Sequence, residues 1–129
     1  MKKSLLFVGL MLFSLLVVAC STISAGVPTG NLNYDDFAKC LTQNGAKMYG
    51  AFWCSHCNNQ KQMFGSSVIY INYIECSNSD SSQNQICQDE KITGYPTWRF
   101  KDGSELQGEV SIVKLSDKTD CSLDLIKGI

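Results

Sequence analysis

The chain has 129 residues, of which 44% are hydrophobic and 18% are charged, and its formal net charge is −1. This length predicts a single domain. The 11 lysines and arginines are scattered and are balanced by 12 acidic residues, so the composition excludes a basic surface of the kind that binds nucleic acid.

The first 19 residues have the features of an export signal. Lys2 and Lys3 precede an apolar stretch, residues 5–19, that is short for a membrane span and typical of a signal peptide. The stretch ends in Val-Val-Ala-Cys-Ser, which resembles the bacterial lipobox, and we therefore expect lipidation of Cys20. An uncleaved anchor and an ordinary signal with an incidental cysteine are the alternatives. In each case the domain leaves the cytoplasm, where disulfides can persist.

A tether and one folded domain are predicted to follow. Residues 20–32 are rich in Ser, Thr, Gly and Pro and indicate a flexible connection. We expect the domain over residues 33–121 and a C-terminal tail over 122–129. A lipidated chain of this kind would sit on a membrane surface without spanning it.

The first predicted helix covers residues 34–44. Asn33 is a suitable N-cap, Asp35 and Asp36 favour the positive end of the helix dipole, and Gly45 is a natural stop. Cys40 falls on or near the apolar face, where a buried cysteine can also act as a small hydrophobic residue.

Two cysteines follow a buried strand predicted over residues 46–53. Cys54 and Cys57 form a C-x-x-C motif at the junction with a helix that runs to about residue 64, and this arrangement is typical of redox chemistry. The helix N-terminus stabilises a thiolate at Cys54, the predicted nucleophile. Cys57, one turn into the helix, is placed to attack a mixed disulfide at Cys54.

Metal and haem sites are the alternatives for this motif. Zinc needs four ligands, whereas His56 is the only histidine and the remaining cysteines come singly. Covalent haem attachment needs a histidine directly after the second cysteine, and Asn58 stands there. A copper site made by Cys54, Cys57 and His56 is a weaker alternative, because its thiols would have to stay reduced outside the cytoplasm.

The segment after the motif predicts a second strand and a disulfide. Residues 68–74 are β-branched and aromatic and indicate a core strand, followed by a polar loop over 77–85 and a short helix over 85–91. Cys76 and Cys87 would close a short loop as a structural disulfide. A second redox pair that relays electrons to Cys54 and Cys57 is the alternative.

The last third predicts a hairpin and a final helix. Pro96 opens a strand, Asp102 and Gly103 form the turn, and residues 104–107 return antiparallel. Ser111 can cap the last helix, and Cys121 beyond it could bridge back to Cys40. The order of elements predicts an α/β fold with a mixed four-stranded sheet flanked by helices.

This order, together with the C-x-x-C motif after Trp53 and the later Gly-Tyr-Pro-Thr at 94–97, resembles the thioredoxin superfamily. Residues 47–57, 73–76 and 94–98 are similar to the thioredoxin-like domain found with vitamin K epoxide reductase homologues. The resemblance implies a thioredoxin-like fold, a cis peptide bond before Pro96 and a second cysteine pair at Cys76 and Cys87. It also implies disulfide exchange with a quinone-linked membrane partner.

The resemblance implies roles for the residues around the cysteine pair. Trp53 would shape the surface, and the backbone at Tyr95 and Pro96 would bind a substrate strand. His56 is expected to stabilise the thiolate of Cys54, with a solvated side chain as the alternative. A more stable reduced form makes a stronger oxidant, so we favour an oxidase of exported proteins and keep a reductase as the alternative.

One position departs from the family pattern. Thioredoxin has a buried acid six residues before its first active cysteine, and Met48 stands there in this chain. Proton transfer from Cys57 therefore needs water or another group, for which Glu75 is a candidate.

Overall fold

The computed structural model describes residues 33–123. The predicted signal peptide (1–19), the lipidation site Cys20 and the tether (20–32) lie outside these residues, as does the predicted tail beyond Leu123. Within the described range, no helix has the length and apolar character needed to cross a membrane.

A mixed four-stranded sheet organises the described domain. The strands are β1 (Lys47–Gly50), β2 (Tyr73–Glu75), β3 (Thr97–Arg99) and β4 (Glu105–Gln107). They lie in the order β2-β1-β3-β4, with β2 parallel to β1 and the other two pairings antiparallel. Helices α1 (Asp35–Gln43), α2 (Ser55–Phe64), α3 (Gln85–Asp89) and α4 (Ile112–Thr119) flank the sheet. The predicted α/β class and sheet are thus confirmed.

Strand β1 is buried on both of its faces, as its apolar sequence predicted. Met48 packs into the larger core cluster, which contains Trp98, whereas the next residue, Tyr49, packs into a smaller one with Ile92. Successive side chains of a strand point to opposite faces, so these two contacts require cover on both sides. The cysteine pair therefore follows the most enclosed strand of the sheet.

Local sequence signals set the ends of the helices. The N-cap of α1 is Tyr34 rather than the predicted Asn33, whose side chain accepts a hydrogen bond from the Asp35 N–H at 2.8 Å from just before the cap. The helix is followed by Gly45 at a φ of +79°. Ser111 caps α4 by accepting from the Lys114 N–H. Asn84 caps α3 in the same way, by accepting from the Cys87 N–H.

The strand predicted over residues 68–74 is wrong in most of its length. A 3₁₀ helix, Gly65–Tyr70, follows α2, and β2 begins only at Tyr73. The Thr42 hydroxyl on α1 donates to the Tyr70 carbonyl at 2.7 Å and accepts from the Asn72 N–H at 3.0 Å. Packing against α1 thus overrides the β-propensity of this segment, which depends strongly on context.

The hairpin and the cis peptide bond are present as expected. Strands β3 and β4 pair with Trp98 opposite Leu106, and Gly103 in their turn has a φ of +79°. The bond between Tyr95 and Pro96, just before β3, is cis.

Candidate active site

The turn from β1 into α2 places Cys54 at the helix N-cap. Its backbone is extended, with φ −77° and ψ 114°, and its sulfur accepts a hydrogen bond from the Cys57 N–H at 3.2 Å. The Cys54 N–H donates to the Ala51 carbonyl at 3.0 Å, which fixes the entry to the helix. An N-cap sulfur that accepts from the first turn is stabilised as an anion.

Cys54 and Cys57 are free thiols in contact with each other. The Cys57 thiol donates to the Cys54 sulfur across 2.6 Å. Cys54 keeps 7% of its surface accessible, whereas Cys57 has none. Burial, reinforced by the hydrogen bond to Cys54, raises the pKa of Cys57 to about 12. Cys54, which retains some accessible surface, is therefore the better placed of the two to attack a substrate, and the fully buried Cys57 stays protonated until it attacks in turn.

His56 is engaged by an acidic residue from a distant loop. Its Nδ1 lies 2.6 Å from Oε1 of Glu109, and the Asn59 amide donates to the same oxygen at 3.0 Å. The hydrogen bond with His56 lowers the pKa of Glu109. The contact found for the imidazole is thus with a carboxylate rather than with the Cys54 sulfur, and tuning of the thiolate by His56 stays a prediction.

Aromatic side chains flank the cysteine pair. Trp53 is half exposed, its indole N–H donates to the Ser77 hydroxyl at 2.9 Å, and its ring meets the Tyr95 ring edge-on at 6.0 Å. Phe52 is also half exposed. The Trp53–Tyr95 contact brings the loop with the cis bond to Pro96 beside the motif, which is compatible with the predicted substrate-binding role of this loop.

Next to Cys57 lies a cluster of side chains, Lys61, Tyr73 and Glu75, that the sequence analysis largely missed. The Tyr73 hydroxyl donates to Oε2 of Glu75 at 2.9 Å, and the Lys61 ammonium lies 3.6 Å from the centre of the Tyr73 ring. Burial and the hydrogen bond to Glu75 raise the pKa of Tyr73, so its hydroxyl stays neutral. Gly50 in β1 is the sequence signal for this cluster, because a glycine inside a strand often indicates that other groups approach the backbone closely.

Met48, where the resemblance places the family's acid, is 1% exposed and lies in the larger core cluster. Glu75, the suggested alternative, is on the neighbouring strand. Its Oε1 accepts hydrogen bonds from the backbone N–H groups of Phe52 at 3.1 Å and Ser77 at 3.0 Å. Both carboxylate oxygens are therefore held in fixed positions.

A buried glutamine attaches the loop after β4 to the active-site helix. The Gln60 amide donates to the Val110 carbonyl at 3.0 Å, and its oxygen accepts from the Val110 N–H at 2.6 Å. Together with the contacts of Glu109, this fixes the loop to the first half of α2. No local sequence signal identifies these contacts, which join residues about fifty positions apart.

The other four cysteines of the described domain form two disulfides. Cys76 is joined to Cys87, and both are fully buried; Cys40 is joined to Cys121, with a Cα–Cα distance of 5.8 Å. Burial favours a structural role for the Cys76–Cys87 bond over a redox relay, because an exchanging disulfide needs access to a thiolate.

In residues 33–123, no group of three or more His, Cys, Asp or Glu side chains is arranged to hold a metal ion. The copper alternative needs Cys54, Cys57 and His56 to converge on one ion. In the described domain the His56 imidazole instead lies 2.6 Å from Oε1 of Glu109.

Known proteins that are similar to this chain include one from Arabidopsis thaliana and one from Drosophila melanogaster. The chain is 45% identical over 92 residues to thiol-disulfide oxidoreductase LTO1 of Arabidopsis thaliana, which covers 67% of this chain and 24% of the relative. It is 33% identical over 88 residues to a thioredoxin domain-containing protein 5 homolog of Drosophila melanogaster, which covers 60% of this chain and 20% of the relative. No family model matches the sequence.

The fold is thioredoxin-like. The architecture and the thioredoxin-type relatives together support a place in the thioredoxin superfamily. The chain spans about a quarter or less of the length of these relatives. An association with vitamin K epoxide reductase stays a prediction from the resemblance alone.

Proposed function

We propose that this chain is a thiol–disulfide oxidoreductase that works through Cys54 and Cys57. The observation that carries the proposal is the pair of free thiols at the N-terminus of α2, with sulfur atoms 2.6 Å apart. Cys54 retains a small accessible surface and Cys57 has none, which is an asymmetry that suits stepwise exchange. The name of the Arabidopsis relative agrees with this chemistry.

The exchange proceeds through a mixed disulfide. When the pair starts reduced, the Cys54 thiolate attacks a substrate disulfide, forms a Cys54–substrate bond and expels one substrate thiolate. Cys57 then loses its proton and attacks the Cys54 sulfur, which forms the Cys54–Cys57 disulfide and expels the second substrate thiolate. Two electrons pass to the substrate, and both expelled thiolates take up protons. The reverse sequence delivers a disulfide.

The substrates we propose are exported proteins bound as extended segments. The half-exposed rings of Phe52 and Trp53 offer apolar contacts beside Cys54. The Tyr95 ring touches that of Trp53, so the backbone of Tyr95 lies near these rings and can add hydrogen bonds to an extended substrate. The Pro96 carbonyl already accepts from the Gly108 N–H. A strand-like segment can use both at once.

We favour the oxidase direction, in which the chain delivers disulfides. The Cys57 N–H that donates to the Cys54 sulfur stabilises the reduced form of the pair. A more stable reduced form makes a more oxidising couple. The reductase direction uses the same residues and is the competing outcome of the measurement below.

We further propose that the chain works outside the cytoplasm, anchored through a lipid on Cys20. It would be reoxidised by a quinone-linked membrane partner of the vitamin K epoxide reductase type. The supporting observations are the signal-like residues 1–19 and the two further disulfides, which suit an oxidising compartment. A Cys57→Ala variant should retain the partner and the substrates as mixed disulfides on Cys54, which mass spectrometry can identify.

The reduction potential of the pair tests both activity and direction. The purified full-length chain is equilibrated with glutathione, the thiols are trapped, and the Cys54–Cys57 peptide is quantified by mass spectrometry. We expect a potential of roughly −120 to −180 mV, the range of oxidases and isomerases. A value near about −270 mV, like that of thioredoxin, would replace the oxidase with a reductase. No exchange at all would overturn the activity itself, and Cys57→Ser is the control that cannot form the bond.

A further inference from the structure

The proposed function leaves one step, the deprotonation of Cys57, without an identified general base. Cys57 must lose a proton before it can attack the mixed disulfide, yet its burial and its hydrogen bond to Cys54 hold its pKa at about 12. By the resemblance, Met48 stands where thioredoxin has an acid, and its side chain is apolar and buried. A group that removes this proton must therefore lie elsewhere around the Cys57 sulfur.

The space beside Gly50 brings such a group close. A Cβ atom placed on Gly50 would lie 3.0 Å from the Cys57 sulfur and 3.1 Å from the Tyr73 hydroxyl oxygen. The two atoms thus border the same gap, which exists because residue 50 has no side chain. On its other side, the Tyr73 hydroxyl donates to Oε2 of Glu75 at 2.9 Å.

We propose that Tyr73 and Glu75 form the proton relay of Cys57. As the Cys57 sulfur attacks, its proton crosses the gap beside Gly50 to the Tyr73 hydroxyl oxygen, directly or through one water, and the proton that this hydroxyl already donates passes to Oε2 of Glu75. The tyrosine is neutral before and after the transfer. Glu75 ends protonated and returns the proton to solvent after the Cys54–Cys57 disulfide has formed.

The surroundings suit this direction of transfer. The titratable and charged groups that face Cys57 and Tyr73 in the described domain are Cys54, Lys61 and Glu75. The Lys61 ammonium over the Tyr73 ring favours negative charge at Cys57 and at the phenol oxygen during transfer. Burial keeps the Tyr73 hydroxyl un-ionised, so it can accept a proton only while it gives one away.

Glu75 is also held in place by the loop that carries the motif. Its Oε1 accepts from the N–H groups of Phe52 and Ser77, which leaves Oε2 for Tyr73. Glu75→Gln keeps an oxygen for both N–H groups but replaces the proton acceptor with an amide. Tyr73→Phe removes only the hydroxyl. The two variants therefore test the relay from both ends with little change in packing.

The test rests on the proposed function and uses Ellman's reagent with the reduced full-length chain. Attack by Cys54 releases a first nitrothiobenzoate and leaves a second bound to Cys54 in a mixed disulfide. Attack by Cys57 releases the second. Stopped-flow absorbance follows both releases from about pH 6 to 9. If the wild-type chain gives no second release, the proposed function fails, whatever the variants do.

We expect the wild-type second release to vary little with pH above neutrality. In Tyr73→Phe and Glu75→Gln it should be about 100-fold slower at pH 7, the size of a general-base contribution, and should rise about tenfold per pH unit as hydroxide takes over. The first release should keep its wild-type rate, because Cys54 does not use the relay. Tyr70→Phe, a tyrosine whose ring contacts Lys39, is the matched control.

Two results would overturn the relay. One is a wild-type rate and pH profile in both variants. The other is a changed pH profile in Glu75→Gln together with a wild-type profile in Tyr73→Phe, which would show that the Tyr73 hydroxyl takes no part in the proton transfer. Thermal unfolding is measured alongside; if Tyr73→Phe does not fold, the profile of Glu75→Gln alone decides.

Discussion

Cys54 and Cys57 stand three residues apart and have opposite environments. Cys54 is the N-cap residue, and its sulfur accepts a hydrogen bond from a backbone N–H. Cys57 lies one turn further along the helix and is fully buried in the core. On this helix the N-cap residue lies at the end of the helix, whereas the N3 residue faces the core. The division of labour between the two thiols therefore follows from their spacing.

Gly50 allows the groups behind Cys57 to come together. A Cβ at this position would lie 2.8 Å from a carbon of the Tyr73 ring, closer than real Cβ atoms come. We therefore predict that Gly50→Ala lowers the free energy of unfolding by about 1–3 kcal/mol, the usual range for overpacking a core. Urea unfolding of the wild-type and variant chains measures this change.

Gly94→Ala is the control for that prediction. A Cβ on Gly94 would meet only the Gln107 side chain, at 3.7 Å or more, which is ordinary contact. Its effect should stay within about 0.5 kcal/mol. Equal stabilities for Gly50→Ala and the wild type would show that Tyr73 can move aside at no cost.

Some of this residue-scale detail could be predicted from the sequence. The C-x-x-C motif identified both thiols, and a glycine inside a strand is a known sign of close approach. Tyr73 and Glu75 are two apart on one strand, so they share a face. The partner of His56 could not be predicted, because Glu109 reaches it from a loop 53 residues away and no local pattern encodes that contact.

Helix α2 depends on its attachment to the loop after β4. Gln60 is fully buried and satisfies both backbone groups of Val110. The same loop contacts the exposed side of α2 through Glu109. The loop after β4 thus holds the active-site helix through a buried contact at Gln60 and through exposed contacts at His56 and Asn59.

Gln60→Met should destabilise the domain strongly although it changes the size of the side chain little. The substitution keeps the length of the side chain but leaves the Val110 N–H and C=O buried without partners, at about 1–3 kcal/mol each. We predict a loss of about 2–4 kcal/mol in the free energy of unfolding, measured by urea unfolding. Gln62→Met, an exposed position on the same helix, should change it little. Equal losses in the two variants would contradict the attachment.

The elements show where sequence reasoning succeeds and where it fails. The stop at Gly45 and the cap at Ser111 were correctly predicted, since they act through their immediate neighbours. The cap predicted at Asn33 was one residue too early, because the N-cap of α1 is Tyr34. The segment over 68–74 was wrongly predicted as one strand, because its hydrogen bonds to Thr42 on α1 decide its conformation. Tertiary contacts of this kind are invisible to propensity.

Two disulfides connect distant parts of the whole molecule. Cys40–Cys121 joins α1 to the segment after α4 across 81 residues, whereas Cys76–Cys87 closes a loop of 11. In the chain-entropy view, the longer loop gives the larger stabilisation. The first bond therefore stabilises the domain as a whole, and the second stabilises one side of it.

Removing each bond separately tests this view. Loss of the long-range bond in the double variant Cys40→Ala/Cys121→Ala should lower the free energy of unfolding by about 4–5 kcal/mol. Loss of the short-range bond in Cys76→Ala/Cys87→Ala should lower it by about 3 kcal/mol. Urea unfolding with the remaining disulfides intact measures both. The reverse order would show that packing around the buried Cys76–Cys87 bond outweighs loop length.

The fold of the whole domain was largely predictable. An apolar strand before the motif, a second strand after it and a hairpin near Pro96 together define a mixed sheet, and the structure has that sheet. The pairing of Cys40 with Cys121 could not be derived, because the sequence does not show whether two Cα atoms come within reach of each other.

The two disulfides make the protein subject to the same chemistry that it is proposed to perform. Six thiols can pair completely in roughly fifteen ways, and the described domain contains one arrangement in which only Cys54 and Cys57 remain free to exchange. The disulfides of a newly made chain must therefore be paired correctly, through exchange with other thiols, before the chain can exchange disulfides with its substrates. Its supply of working molecules would rise and fall with the oxidising capacity of the compartment it serves.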